Sequence, residues 1–220
     1  KYFLQEDEKL NQNPSIDQNS FSEYISDPSN PVPYTAKFED SKSFYNEVHL
    51  IEDQRYVSSR PDVLTFESDI LKEDVTIAGP IIAELFVSTT GTDADFVVKV
   101  IDVYPDDEKD LSRVEMGGYE RLVRTEIMRG KFRNNFENPE PFEPNKVTEV
   151  KINLNDAFHT FKAGHKIMIQ VSSSYFPFFD VNPNTFCDIY SADKDKFIKA
   201  MVRIYHSKEF PSCVSFKIKK

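Results

Sequence analysis

The chain has no tryptophan, six glycines and two cysteines in 220 residues, and each shortage removes a class of protein. Sugar-binding platforms lean on exposed aromatic rings, tryptophan above all, so a carbohydrate module would lack its customary stacking residue here. Cys187 and Cys213 lie in separate β-like segments and make no disulfide framework, which predicts free, mostly buried thiols. No apolar run approaches the roughly eighteen residues of a membrane helix, and the polar start Lys1-Tyr2-Phe3-Leu4-Gln5-Glu6 lacks the form of a signal peptide. A membrane is therefore not an expected partner. The first residue is not Met, which predicts a segment cut from a longer polypeptide.

Motifs that carry chemistry are missing too. No two glycines stand two residues either side of a serine, so there is no nucleophile elbow, and the phosphate-cradling and dinucleotide-binding glycine patterns are absent. No catalytic residue and no cofactor are expected within these residues. His49, His159, His165 and His206 form no zinc-protease spacing and neither cysteine has a near second, so no metal is expected. His159 and His165 flank a turn at Gly164 and could face each other across a hairpin. The acidic run Asp93, Asp95, Asp102, Asp106, Asp107 and Glu108 lacks the fixed offsets of a calcium loop and reads as a solvated one. Ser172, Ser173 or Ser174 with His206 could form a dispersed triad, although three serines after a β run are more simply a strand end. The net charge of −10, with lysines and arginines scattered among acids, argues against nucleic acid.

What is present is aromatic and β-like. Nineteen phenylalanines and ten tyrosines combine strand propensity with large buried area. Short runs rich in Val, Ile, Phe and Thr predict strands at 63–66, 75–78, 81–89, 96–104, 147–154, 166–173 and 200–206, spaced as in a sandwich or barrel. Alternation places Ile152 and Leu154, then Ile167, Ile169 and Val171, on core faces. Residues 119–133 fit helical or strand spacing, and a strand ending near Gly130 is favoured. Asp193–Phe197 predicts one helical turn capped by Asp193. Tyr2–Leu4 and Phe21–Ile25 are candidate strands. The rest of residues 1–60 reads as a loop-rich arm, with a β domain over 61–220.

Within that arm, Pro28, Pro31 and Pro33 forbid a helix and leave few donors for a central ladder. Little periodicity follows until Arg60-Pro61-Asp62-Val63-Leu64. So long a loop in a compact domain is usually functional, and this one must find its contacts outside itself.

Several blocks, in order, resemble one family. They are Tyr24-Ile25-Ser26-Asp27-Pro28-Ser29-Asn30-Pro31-Val32-Pro33-Tyr34, Glu52-Asp53-Gln54-Arg55, Arg60-Pro61-Asp62-Val63-Leu64, and the strand from Asp93 to Pro105. Met116-Gly117-Gly118-Tyr119, Arg129-Gly130-Lys131-Phe132-Arg133, His159 to Ser174 and Phe176 to Pro183 continue the match. The chain resembles the C-terminal domain of X-Pro dipeptidyl-peptidase-like serine hydrolases, and within them the α-amino acid ester hydrolases, cephalosporin acylases and cocaine esterase. That resemblance implies an all-β, jelly-roll-like β-sandwich of the galactose-binding type with a long extended N-terminal arm. It implies partners in an α/β-hydrolase domain and a helical cap of the same polypeptide, and a small-molecule or peptide substrate for the parent. The Ser-His-Asp triad, oxyanion hole and amino-group-binding acids would precede Lys1, so none is carried over. Tyr34, Phe44 and Tyr45 are the candidate pocket-wall residues. An extracytoplasmic location, periplasmic or secreted, is favoured, with the cytoplasm left open. A ligand-binding module and a homo-oligomerisation domain are the alternatives.

Overall fold

The computed structural model describes residues 1–36 and 47–219. Among the described residues eleven strands form two antiparallel sheets. In chain order they are β1 (Tyr2–Leu4), β2 (Leu10–Asn11), β3 (Phe21–Ser26), β4 (Leu64–Glu67), β5 (Val75–Thr89), β6 (Asp95–Val103), β7 (Glu120–Arg129), β8 (Thr148–Phe161), β9 (Lys166–Ser172), β10 (Ala200–Tyr205) and β11 (Cys213–Ser215). The seven-stranded sheet runs β2-β1-β11-β5-β10-β3 with β8 also on β5, and the four-stranded sheet runs β4-β9-β6-β7. Helix among the described residues is limited to single turns at Glu47–Leu50, Arg55–Ser58, Gly130–Phe132 and Lys194–Lys196.

The two sheets share one apolar core. Ile81, Ala83, Leu85 and Val87 of β5, Val150, Ile152 and Leu154 of β8, and Val202 and Ile204 of β10 come from the large sheet. Phe96, Val98 and Val100 of β6 and Ile167, Ile169 and Val171 of β9 meet them from the small one. Each of these side chains larger than Ala83 contributes about 1.5–3 kcal/mol by leaving water. The predicted alternation in β8 and β9 is therefore what the core uses.

Of the other details, some depart from the sequence reading and some agree with it. The runs at 75–78 and 81–89 fuse into one fifteen-residue strand, because Gly79-Pro80 sits at a register shift in the β5–β8 ladder where the missing proline N–H is tolerated. β8 continues past Leu154 to Phe161 through Asn155, which takes a positive φ of 64°. Residues 120–129 are strand and then turn at Gly130. Asp193 precedes its short turn but makes no side-chain cap bond. Gly164 has φ +91°, as the turn before β9 requires. In the first 26 residues, β1 pairs with β11 and β3 with β10, so the early chain is woven into the large sheet.

Candidate functional site

All nine residues of β6 are buried, yet only alternate ones face the shared core. Val97, Lys99 and Ile101 point the other way, so something must cover the outer face of the small sheet. That cover is the proline-rich segment. Tyr34 packs with Val97 and Tyr175, while Val32, Val57 and Val63 make a small cluster of their own. The contacts the prolines deny the segment internally are found, among the described residues, on this sheet.

The quoted sequence blocks are the fasteners. Val32 N donates to Ser174 Oγ at 2.7 Å, Phe176 N donates to Val32 O and Tyr34 N to Phe176 O, each at 2.9 Å, so an isolated parallel bridge ties the prolines to the chain just after β9. Arg60 grips Asp62 with two nitrogens at 2.7 and 2.8 Å and donates to Asn30 O, closing the segment on itself. Asp53 accepts from Arg55 Nε at 2.7 Å and from Glu120 N at 3.2 Å, and Arg55 also donates to Gly117 O. Gly117 in turn lies against Asp106 O, which a Cβ there would meet at 2.5 Å. Tyr119 donates its hydroxyl hydrogen to Ile51 O.

Beneath the segment lies a buried polar seam. Lys99 is 3% exposed, donates to Gln54 Oε1 at 2.8 Å, and has its ammonium over the rings of Tyr175 and Tyr56 at 4.9 and 5.6 Å. Burial pushes its pKa down to about 7, against the pull of Glu120 and Glu52. Glu120, which accepts from Gln170 Nε2, is pushed up to about 7, again mainly by burial. At neutral pH both groups are poised between charge states. At one end of the seam the rings of Tyr34, His49, Tyr175 and Phe178 meet at centroid distances of 5.2–6.4 Å.

Of the predicted wall residues, Tyr34 is buried in this ring cluster. Phe44 and Tyr45 lie outside the described residues. Gln54 and Lys99 lay within blocks that carry the family resemblance and His49 was weighed only as a metal ligand, while Glu120 and Tyr175 were not singled out; a lysine inside the apolar run Phe96-Val97-Val98-Lys99-Val100-Ile101 was the available signal.

The other candidates have different roles. His159 and His165 converge on Asp102, with Nε2–Oδ2 2.9 Å and Nδ1–Oδ1 2.8 Å. Asp93, Asp95 and Asp102 are buried and correct the reading of a solvated acidic loop; they belong to β6 and its entry. Asp95 takes Arg129 and Asn182 on its two oxygens, and burial lifts its pKa to about 6. His206 pairs with Ser22, Ser173 with Tyr24 and Ser174 with Val32 N, so these serines and this histidine form no triad. Cys213 is buried, Cys187 is half-buried, and both are free. No group of three or more metal-binding side chains occurs among the described residues.

Among the described residues these blocks fasten a segment onto the small sheet and bring no serine, histidine and carboxylate together. The chain belongs to the family described as the X-Pro dipeptidyl-peptidase C-terminal non-catalytic domain, whose model matches residues 1–215. It is 34% identical over 197 residues to the cocaine esterase of Rhodococcus sp. (strain MB1 Bresler), covering 90% of this chain and 32% of that protein. It superposes with TM-score 0.91 and 41% identity on an α-amino acid ester hydrolase structure, covering 99% of this chain and 36% of the other. An aminopeptidase from a marine sediment Thaumarchaeota archaeon gives TM-score 0.90 and 38% identity over 100% of this chain and 36% of that one. The chain thus spans about a third of the length of these relatives.

Proposed function

We propose that this chain is the supporting domain of a serine hydrolase that cleaves esters or amides of amino acids, or X-Pro peptide bonds. As a jelly-roll-like sandwich it stiffens the catalytic region that precedes it and holds the stretch around residues 34–50 as one wall of that region's pocket. The observation that carries this reading is the fastening of residues 27–36 and 47–63 over the small sheet through Ser174, Gln54 and Asp53, with Arg60 closing the segment on itself. So many anchors on both sides of one stretch suit a part that must be presented at a fixed place. An aromatic wall suits acyl or aminoacyl side chains, because it buries apolar area and leaves the reacting carbonyl to groups elsewhere.

The test compares the intact polypeptide with Phe44→Ala and Tyr45→Ala variants. The expected result is a raised KM for substrates with bulky acyl groups, little change for small ones, and unaltered thermal unfolding. An unchanged KM across the acyl series removes the wall. Separately, the isolated chain is expected to hydrolyse an aminoacyl or nitrophenyl ester no faster than buffer; turnover by it would overturn the supporting role.

A further inference from the structure

On one flank of the molecule an open edge of the small sheet meets an open edge of the large one. Of the strands described, β7 pairs only with β6 and β8 only with β5, so each presents a row of main-chain donors and acceptors on its other side. The edges cross where Arg124 Nε donates to Leu154 O at 2.8 Å and Asn155 Nδ2 to Glu126 Oε2 at 3.0 Å. Beside that crossing a groove of about 750 Å³ lies between residues 126–128 and 151–153, a size that suits a bound ligand.

The edge of β7 already accepts extended chain. At its start Gln54 N donates to Glu120 O at 2.9 Å and Asp53 bridges Arg121 in antiparallel fashion. Further along, a side chain holds the place of a strand: Ile127 N donates to Glu126 Oε1 at 3.0 Å. That carboxylate oxygen sits where the carbonyl of an added strand would accept. The groove walls carry three exposed carboxamides, each anchored at one atom. Asn134 Nδ2 donates to Glu140 Oε2, Asn135 Oδ1 accepts from Glu137 N, and Asn153 Oδ1 accepts from Asn155 N, which leaves the second polar atom of each for a ligand. Phe136, stacked on Phe132 and 78% exposed, adds an apolar wall.

We propose that the groove between β7 and β8 binds an extended peptide of about five residues, which adds to the open edge as one more strand. Five residues at about 3.3 Å each match the five from Lys151 to Asn155. Alternate side chains of the peptide are apolar and meet Phe136, Ile127 and Met128, while those between them are polar and reach the carboxamides. An oligosaccharide is the poorer fit, because it could use the carboxamides but not the ladder positions. The site goes beyond the supporting role and does not depend on it, since no part of it needs a hydrolase.

The experiment titrates the intact polypeptide by calorimetry with three peptides of the form Lys-Thr-X-Thr-X-Thr-Lys, X being Val, Leu or Phe. Acetyl and amide caps remove their terminal charges. Saturable binding by at least one is expected. N-methylation of one alternate set of its amides is expected to weaken binding at least about tenfold, the loss of two or three main-chain bonds, and methylation of the other set to change it little. Glu126→Ala, which clears Ile127 N, is expected to tighten binding about threefold, and Phe136→Ala to weaken it about fivefold. Thermal unfolding checks that both variants keep the fold. No saturable binding by any of the three up to about 1 mM would overturn the site, as would binding that neither methylation disturbs. Saturable heat from cellohexaose or maltohexaose with none from the peptides would overturn it in favour of a saccharide. Radical footprinting of the free polypeptide that finds Phe136 already shielded would also overturn it, since the groove would then be filled by the polypeptide itself. Each of these failures leaves the KM comparison for the supporting role untouched.

Discussion

The two faces of the small sheet are both closed to water, yet they are built from different chemistry. Phe96, Val98 and Val100 face the inter-sheet core, which is dry and apolar. Val97 and Lys99, one residue out of step, face a lid of chain fixed by hydrogen bonds, ion pairs and rings, while Ile101 packs with Val103, Leu122 and Met168. Area alone holds the inner face, while the outer one depends on each polar group meeting its partner. Burying polar groups is costly unless they are paired, so the second arrangement gains less stability than positional definition.

The largest blow to this contrast should come from the inner face. Phe96→Ala is expected to cost about 3–5 kcal/mol in urea unfolding, since it opens a cavity in a close-packed core; a loss under 1 kcal/mol would mean the two faces are alike. Next is Asp102→Ala, at the end of β6 on the side that faces β8 of the large sheet. It strands the donors of His159 and His165 and is expected to cost about 1–3 kcal/mol by thermal unfolding. If Asp102→Ala is neutral, the carboxylate is not the clasp its geometry suggests.

The third measurement is stability against pH. Glu120 has its usual value of 4.5 raised to about 7, so the folded state binds the extra proton and stability falls as pH climbs between those values. Lys99 has its usual 10.5 lowered to about 7, so the unfolded state binds the extra proton and stability rises from about 7 toward 10.5. Together they predict a minimum near pH 7, with slopes of at most about 1.4 kcal/mol per pH unit for each group. K99M/E120Q is expected to flatten it. The falling slope that remains below about pH 6 then belongs to Asp95 and Asp93, both raised from 3.8 by burial. A wild-type profile without a minimum would show that the seam is better solvated than its burial implies. Smallest of all is Gly164→Ala at the turn before β9, with φ +91° and room for a methyl group, expected to cost about 1 kcal/mol.

The strands with strict alternation were legible in the sequence because period two reports a half-buried ladder directly: Ile152, Leu154, Ile167, Ile169 and Val171 are all in the core. β6 was legible as a strand but not as one buried twice, since an outer cover cannot be read from a strand's own pattern. The short pieces β2 and β11 carry too few residues to show any period, and their pairings are set by distant strands. At the site, the blocks were visible as text while their role was not. Asp53 and Gly117, or Asn30 and Arg60, gain meaning only when folding brings them together. His159, His165 and Asp102 show the same limit: the hairpin geometry suggested two facing histidines, and the carboxylate between them came from another strand.

The pairing of β1 with β11 joins residues 2–3 to residues 213–214, almost the full span of the chain. Loop-closure entropy makes such a contact among the last to form. During synthesis the first strand must wait, unpaired, until nearly everything described here has been made. Any region that precedes Lys1 would by then have had time to fold, and the β domain would close beside a finished neighbour rather than alone in solution.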